Sequence, residues 1–228
     1  MSPLKNQIRF GDLRRLSPIS RVHGTDRGLP IDRYYIEGFL SANVSDVKGH
    51  VLEFDDDFYT QRYGGERIAV SDVLHVEEGH PGATIIADLS SGENLEDDTF
   101  DCIICTQTLM YIYPIQAAIQ TLYRILKPGG TLLATFPGIA QVSRYDMDRW
   151  GEYWRFTTMS AKRLFGEVFP PESVSVESQG NVLAAIAFLH GLCTEELEKD
   201  ELNHCDPDYE VLITTRARKP PHEIKTGE

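Results

Sequence analysis

The stretch PIQAAIQTLYRILKPGGTLLATFP, residues 114–137, has the pattern of a helix, a turn and a strand in direct succession. From Ile115 onward its apolar residues recur at the i, i+3, i+4, i+7 spacing of an amphipathic helix. Lys127-Pro128-Gly129-Gly130 then stops the helix and turns the chain, and the apolar run at 131–136 predicts a buried strand. The stretch therefore predicts a helix that covers a sheet, with the chain entering that sheet immediately afterwards.

Strand-like and helix-like segments alternate through most of the remaining chain. Further helices are predicted from Pro30 to Ala42, after Asp57, after Thr158 and over 181–192. Further strands are predicted at 51–54, 67–71, 84–87, 100–105, 174–178 and 209–216. Such alternation favours an α/β fold: a mostly parallel sheet with helices on both faces and, at the end of the chain, an antiparallel C-terminal strand pair.

The length of 228 residues suits one well-buried core. We expect a single domain over 1–228. Within it we predict an N-terminal arm and helix (1–47), a ligand-binding core (48–140), an acceptor or lid region with the last strands (141–218) and a tail (219–228).

The charge balance excludes two classes of partner. With 35 acidic and 22 basic residues the net charge is −13, which disfavours nucleic acid and anionic membrane surfaces as partners. No apolar run approaches the ~20 residues of a membrane span. We therefore expect a cytoplasmic protein with neither a membrane nor a nucleic-acid partner, and the composition leaves its oligomeric state unknown.

Cys102 and Cys105 form a CxxC pattern inside a predicted strand. Positions three apart on a strand point to opposite faces of the sheet, so the two thiols are not expected to share a zinc ion. No other metal-ligand spacing stands out, and the sequence predicts no metal site.

Acidic or polar residues follow several predicted strands, at a shared edge that we call the rim. Glu53 to Asp57, Asp72 after the strand at 67–71, Asp88, and Thr106-Gln107 are expected to lie there. Carboxylates repel a phosphate by on the order of 1–4 kcal/mol each at ~4 Å. The rim therefore disfavours nicotinamide dinucleotides and ATP, and suits a ligand with net positive charge.

Several segments together resemble one enzyme family. They are VLEF (51–54), AVSDVL (69–74), ADL (87–89), DDTFDCIICTQTLMYI (97–112) and LYRILKPGGTLLATFPG (122–138). In order and spacing they resemble class I S-adenosylmethionine-dependent methyltransferases, which implies a Rossmann-like fold and S-adenosylmethionine as the cofactor. RGLPIDRYYIE (27–37) and SRYDMDRWGEYWRFT (143–157) resemble, more narrowly, bacterial methyltransferases associated with glycosyltransferase or secondary-metabolite clusters.

This cofactor gives each rim residue an expected role. Its ammonium group would meet Glu53 or Asp55 beside Phe54, and its ribose would meet Asp72 beside Val73. Its adenine would meet Asp88, with Leu89 packing on the base. Thr106 and Gln107 would face the reaction zone, as the resemblance implies.

One departure from the family leaves two functions open. Asp55, Asp57 and Tyr59 stand where the family usually has three glycines. The first function is methyl transfer to a small-molecule or glycan acceptor, at oxygen; the alternative is a catalytically inactive methyltransferase-like binding or regulatory module. A hydroxyl acceptor usually needs a general base, for which His190, Tyr153 and Asp148 are the candidates.

Aromatic residues supply two further hypotheses. Trp150, Tyr153, Trp154 and Phe156 form either an acceptor lid or ordinary core packing. Arg33, Tyr34 and Tyr35 either close over the cofactor or pack a helix against the edge of the sheet.

Overall fold

The computed structural model describes residues 11–221 and contains a seven-stranded sheet. The sheet order is β3-β2-β1-β4-β5-β7-β6; the first five of these strands are parallel, and β7 runs antiparallel to both of its neighbours. This arrangement confirms the predicted Rossmann-like α/β fold. The strands are β1 Gly49–Phe54, β2 Ile68–His75, β3 Ile85–Ile86, β4 Phe100–Thr106, β5 Leu126–Pro137, β6 Val174–Gln179 and β7 Leu212–Arg218.

Helices cover both faces of the sheet, as predicted, and each face has its own apolar core. One core joins Ile119 and Phe165 to the sheet; the other joins Ile36 and Phe188 to its opposite face. Both are built from side chains that are almost fully buried. The helices are α1 Ile31–Ala42, α2 Phe58–Gly64, α3 Ile115–Ile125, α4 Arg144–Met147, α5 Thr158–Gly166, α6 Val182–His190 and α7 Lys199–Asn203.

The turn after α3 is part of a strand. We predicted strand from 131, whereas β5 begins at Leu126, which pairs with Phe100. The register between β4 and β5 then shifts, which accommodates the extra residues as an irregularity in the ladder. Gly130 is required there, because a Cβ would lie 2.9 Å from the Lys127 carbonyl oxygen and 3.0 Å from that of Phe100.

The second strand is longer than predicted, which corrects the position of Asp72. β2 does not end at Asp72 but continues to His75, because Leu74 and His75 pair with β3. Asp72 lies opposite Leu52 inside the sheet, and it is His75 that ends the strand.

Two smaller predictions need correction or lie outside the described residues. Thr157, not Thr158, caps α5: its hydroxyl accepts a hydrogen bond from the Ser160 amide. Of the predicted N-terminal arm and C-terminal tail, residues 1–10 and 222–228 lie outside the described part. None of the helices in residues 11–221 has the length and apolar character that a membrane span requires.

Candidate functional site

The carboxyl ends of the parallel strands form the rim. Phe54, His75, Ile86 and Thr106 are the last residues of β1 to β4. The chain order reverses between the adjacent strands β1 and β4, and ligands of open α/β sheets bind outside the strand ends at such a point. The loops that follow these strands are therefore the candidate site.

Asp55 keeps the backbone shape of a glycine loop. Its φ is 71°, in the left-handed region that glycine adopts freely and aspartate tolerates better than most residues. Its amide donates to the Leu74 carbonyl oxygen at 3.3 Å, which ties the loop to β2. The side chain is 73% exposed and points a carboxylate out of the loop.

Asp56 and Asp57 are engaged with α2. Asp56 Oδ1 accepts from the Phe58 amide at 3.0 Å, and Asp57 Oδ2 accepts from Gln61 Nε2 at 2.8 Å. Asp57 occupies the predicted cap position, although the side-chain bond to the first turn comes from Asp56. Of the three consecutive aspartates, Asp55 is therefore the one that offers its carboxylate to a ligand.

Glu53 is directed towards α2. It is only 2% exposed, and its oxygens accept from the Tyr59 amide at 3.1 Å, the Thr60 amide at 2.7 Å and the Thr60 hydroxyl at 2.8 Å. Burial raises the pKa of Glu53 to about 7, and the three hydrogen bonds oppose that rise. These contacts assign Glu53 to holding the loop and α2 in place.

Asp72 is engaged within the sheet. Its Oδ2 lies 2.6 Å from His50 Nε2, and its Oδ1 accepts from the Thr84 hydroxyl at 2.6 Å. The neighbouring Val73 amide donates to the same hydroxyl at 2.9 Å, so Thr84 joins both residues. Both carboxylate oxygens of Asp72 therefore already have hydrogen-bond partners within the sheet.

Asp88 and Leu89 lie where the sequence predicted. Leu89 is 3% exposed and packs in the core beside Leu74. Asp88 is exposed just beyond β3; its Oδ1 accepts from the Ser90 amide at 2.7 Å. The apolar side chain and the carboxylate thus stand next to each other at the rim.

Thr106 is the last residue of β4 and Gln107 comes directly after it, at the end of the strand as predicted. Gln107 adopts φ 48°, and its amide donates to the Thr135 carbonyl oxygen at 3.0 Å. Its side-chain Oε1 is buried without a hydrogen-bond partner. An unpaired buried acceptor costs about 1–3 kcal/mol, which makes this oxygen a candidate partner for a hydrogen-bond donor of a ligand.

The aromatic side chains of residues 150–156 lie partly in the core and partly at the rim. Phe156 packs against Phe136, with ring centroids 4.8 Å apart, in the core. Trp154 stacks on Tyr113 at 5.8 Å. Trp150 instead lies beside His75, at 6.2 Å between ring centroids. Trp150 is therefore the member of the predicted lid that borders the rim.

Tyr153 and the α1 residues lie elsewhere. Tyr153 is half exposed and meets Tyr113 edge-on at 5.3 Å. Tyr35 donates to the Leu202 carbonyl oxygen at 2.9 Å and Tyr34 to Asn203 Oδ1 at 2.7 Å, so both face α7. Arg33 Nη1 donates to the Tyr59 hydroxyl at 2.8 Å and so contacts α2.

The three candidate bases are not joined to the rim by hydrogen bonds in residues 11–221. His190 ends α6, where its carbonyl oxygen accepts from the Ile19 and Ser20 amides. Asp148 follows α4, and Tyr153 is held through its amide by the Met110 carbonyl oxygen at 2.9 Å. Their catalytic roles remain proposals.

Cys102 and Cys105 lie on opposite faces of the sheet, as predicted. Cys102 belongs to the core beside α1 and Cys105 to the core beside α3. Burial raises the pKa of both thiols, that of Cys105 to about 12, which makes them poor nucleophiles.

His75 and His80 were missed by sequence reasoning. His80 Nε2 lies 3.2 Å from Asp55 Oδ1, and the two imidazole rings stack with centroids 4.2 Å apart at 15°. A correct end point for β2 would have placed His75 at the rim. No sequence pattern shows that the loop after β2 folds His80 back onto it.

The hydrogen-bond acceptors at the rim suit a ligand that carries positive charge. Asp55 and Asp88 present exposed carboxylates, and Gln107 presents a buried, unpartnered oxygen. These are hydrogen-bond acceptors, which fit ammonium and amino groups and repel phosphates. A ligand with such groups therefore fits the rim better than a dinucleotide does.

Comparison with known proteins agrees with this chemistry. Residues 61–134 match the family model described as a methyltransferase domain. No curated protein sequence matches the chain.

Solved structures share the fold at low sequence identity. A methyltransferase dependent on S-adenosylmethionine, from Archaeoglobus fulgidus, is 13% identical with a TM-score of 0.54, covering 82% of this chain and 94% of its own. The N-methyltransferase NodS from Bradyrhizobium japonicum, in complex with S-adenosylhomocysteine, is 15% identical with a TM-score of 0.53, covering 85% and 90%. The [4+2]-cyclase SpnF is 16% identical with a TM-score of 0.50, covering 82% and 81%.

These likenesses show the fold, and the family model adds the methyltransferase signature that spans α2 to β5. The acceptor-rich rim at the carboxyl ends of the strands agrees with a cofactor of net positive charge. Residues 61–134 therefore carry a methyltransferase-domain signature, within a fold that S-adenosylmethionine-dependent methyltransferases share.

Proposed function

We propose that this protein transfers a methyl group to a hydroxyl oxygen of a small-molecule or glycan acceptor bound at the rim. The observation that carries the proposal is the set of hydrogen-bond acceptors there: the exposed carboxylates of Asp55 and Asp88 and the unpartnered Oε1 of Gln107. We further propose residues 48–140 as the cofactor-binding core and the cytoplasm as the compartment. All four cysteines are free, as is usual in that reducing environment.

Each proposed cofactor contact uses one of these groups. Asp55 would accept from the ammonium of the methionine part, because its carboxylate projects out of the loop after β1. Asp88 would accept from the adenine amino group, with Leu89 against the base. Glu53 and Asp72 would act indirectly, through α2 and through Thr84, since their oxygens are already hydrogen-bonded.

When bound, S-adenosylmethionine supplies a methyl group on a sulfonium, which is already a good leaving group. The protein's part is then mainly to hold donor and acceptor in line and to exclude water. Gln107 and Thr106, at the end of β4, would orient the groups nearest the methyl carbon.

The acceptor side of the rim is aromatic. Trp150 and Tyr111 lie 6.1 Å apart between ring centroids, and Trp150 also borders His75. Aromatic faces of this kind favour a ring-shaped acceptor, either a sugar or a flat ring. Tyr111 donates to Asp146 Oδ2 at 3.0 Å, and burial strongly raises the pKa of its hydroxyl, so Tyr111 is not the general base. Tyr153, Asp148 and His190 remain the proposed candidates for the general base.

The alternative function is a binding or regulatory module that lacks methyl transfer. Two observations keep it open: the aspartates in the loop after β1, and the same fold in a protein described as a [4+2]-cyclase. A fold alone does not specify a reaction. Cofactor binding without turnover on any hydroxyl acceptor would favour this alternative.

Calorimetric titration with S-adenosylhomocysteine, in the presence of a chelator, tests the cofactor site. We expect saturable binding, and Asp88→Ala should weaken it about tenfold, as for one lost hydrogen bond to a charged group. Glu66→Ala is the matched control, since Glu66 is exposed in the turn before β2, at the opposite end of the sheet. Absence of binding at millimolar ligand would exclude the proposed function.

Methyl transfer itself requires a second measurement. Transfer of a labelled methyl group to a panel of hydroxylated small molecules and glycans should identify the acceptor class. Labelling of amine acceptors instead of hydroxyl acceptors would contradict the proposed O-methylation while leaving the cofactor assignment intact.

A further inference from the structure

Three side chains with metal-binding atoms meet at one point of the rim. One ligand atom each from Asp55, His75 and His80 lies within 4.8 Å of the others. We propose that these residues form a binding site for a divalent transition-metal ion of the Zn²⁺ type, with Asp55, His75 and His80 as its protein ligands.

The backbone brings these residues together from three places. Asp55 follows β1 and His75 ends β2; these strands are hydrogen-bonded neighbours, with Phe54 opposite Leu74. The bond from the Asp55 amide to the Leu74 carbonyl oxygen holds the loop against β2. His80 lies in the loop between β2 and β3, where its carbonyl oxygen accepts from the Ala83 amide at 3.2 Å. Two of the ligands are therefore set by the sheet, and the third by a loop that closes over them.

The backbone of Glu77 holds the His75 ring in place. Its Nδ1 lies 3.2 Å from the Glu77 carbonyl oxygen and 3.0 Å from the Glu77 amide nitrogen. The Glu77 amide donates to Nδ1 in the neutral ring; an ion bound at Nε2 would place the ring proton on Nδ1, where the Glu77 carbonyl oxygen would accept it. Ligating histidines are usually oriented in this way by the second ring nitrogen.

His80 has an unsatisfied ring nitrogen. Its Nε2 lies 3.2 Å from Asp55 Oδ1, while its Nδ1 is buried with no hydrogen-bond partner. The ring stacks on His75 at 4.2 Å between centroids. The stacking brings both rings to the same side of the Asp55 carboxylate, so that one ion can contact all three side chains. A bound cation would accept lone pairs from both imidazole rings and balance the negative charge of the Asp55 carboxylate.

The ligand set selects the class of ion. Two imidazoles and one carboxylate suit Zn²⁺ and similar transition metals, whereas Mg²⁺ and Ca²⁺ prefer oxygen ligands. Zinc–ligand bonds of about 2.0–2.2 Å place tetrahedral ligand atoms roughly 3.4 Å apart. Asp55 Oδ1 and His80 Nε2 are already 3.2 Å apart, and all three ligand atoms lie within 4.8 Å of one another. Asp55 is free to move because its side chain is 73% exposed. Three protein ligands leave one tetrahedral position for water or a substrate group.

The metal site shares Asp55 with the proposed cofactor contact but does not depend on it. Metal binding is therefore measured without cofactor, and cofactor binding with a chelator present. Failure of one measurement leaves the other interpretable.

Calorimetric titration of Zn²⁺ into the tag-free, chelator-treated full chain tests the proposal. We expect saturable binding of one equivalent, and His80→Gln and Asp55→Asn should each weaken it at least about tenfold. The Asp55 side chain is exposed, and asparagine tolerates the left-handed φ of this position as aspartate does. The Asp55→Asn variant should therefore fold even if His80→Gln does not.

Two control variants guard against binding elsewhere. His204→Ala removes an exposed histidine at the end of α7, and Cys205→Ser removes the exposed thiol; neither should change the affinity. Absence of saturable binding, or binding that survives both Asp55→Asn and His80→Gln, would overturn the proposal. Binding lost only in Cys205→Ser would assign the metal to the thiol and overturn it equally.

Discussion

The Glu53 carboxylate accepts a hydrogen bond from the Thr60 amide at 2.7 Å, across the loop that contains Asp55, Asp56 and Asp57. Glu53, near the end of β1, therefore holds the first turn of α2 in place. Because the carboxylate lies at a helix N-terminus, the backbone dipole favours its charge, whereas burial opposes it.

This relationship predicts a pH dependence of stability. The pKa of Glu53 is raised from 4.5 to about 7 in the folded protein. The folded state therefore binds the proton more tightly, so this contribution is fully present below pH 4.5 and is lost as pH rises through about 7. Its size is up to about 3 kcal/mol. Urea unfolding between pH 4.5 and 8 should show this fall in the wild type and a flatter profile in Glu53→Gln; identical profiles would contradict it.

Asp72→Asn distinguishes a structural role from a cofactor contact. Asp72 holds His50 and Thr84 inside the sheet, so we expect the free energy of unfolding to fall by about 1–3 kcal/mol. Affinity for S-adenosylhomocysteine should change much less than in Asp88→Ala. A large loss of affinity at unchanged stability would instead support the ribose contact that the sequence suggested.

Gln107→Met tests the unpartnered oxygen at the end of β4. Removing a buried acceptor that has no partner should leave stability unchanged or raise it, while cofactor binding or methyl transfer falls about tenfold. Gln116→Met is the matched control, because Gln116 Oε1 in α3 is also buried and unpartnered. Equal effects of the two substitutions on activity would refute a site role for Gln107.

Gly130→Ala tests the turn between α3 and β5. Its Cβ would meet two backbone carbonyl oxygens at 2.9 and 3.0 Å, so we expect a loss of about 1–3 kcal/mol in unfolding free energy. Gly166→Ala, at the end of α5, has open space and should be neutral or slightly stabilising. Thermal unfolding of both variants measures the difference, and similar melting temperatures would contradict it.

Periodic patterns predicted the large elements well. The apolar spacing from Ile115 and the glycine pair at 129–130 identified α3 and the turn, because burial of one helix face leaves a repeating pattern in the chain. The end of β2 was less predictable. Residues 72–75 become strand through their pairing with β3, a contact between distant segments that no local pattern records.

The site shows the same division. Asp88, Leu89, Thr106 and Gln107 lie where strand ends predicted them. The partners of Glu53 and Asp72 were not predictable, because hydrogen bonds to α2 and to Thr84 depend on how loops return to the sheet. His80 is the clearest case: it approaches Asp55 through a loop whose path the sequence does not show.

The sequence by itself therefore determined the fold class, the methyltransferase-domain signature over residues 61–134 and the acidic character of the rim, since each follows from local periodicity, motif order and charge. Tertiary structure alone decided which carboxylates are buried and which are exposed at the rim. Glu53 and Asp72 form internal hydrogen bonds, while Asp55 projects outward to meet His75 and His80. The physical reason is that a buried carboxylate must find partners, and only the folded chain determines which carboxylates are buried.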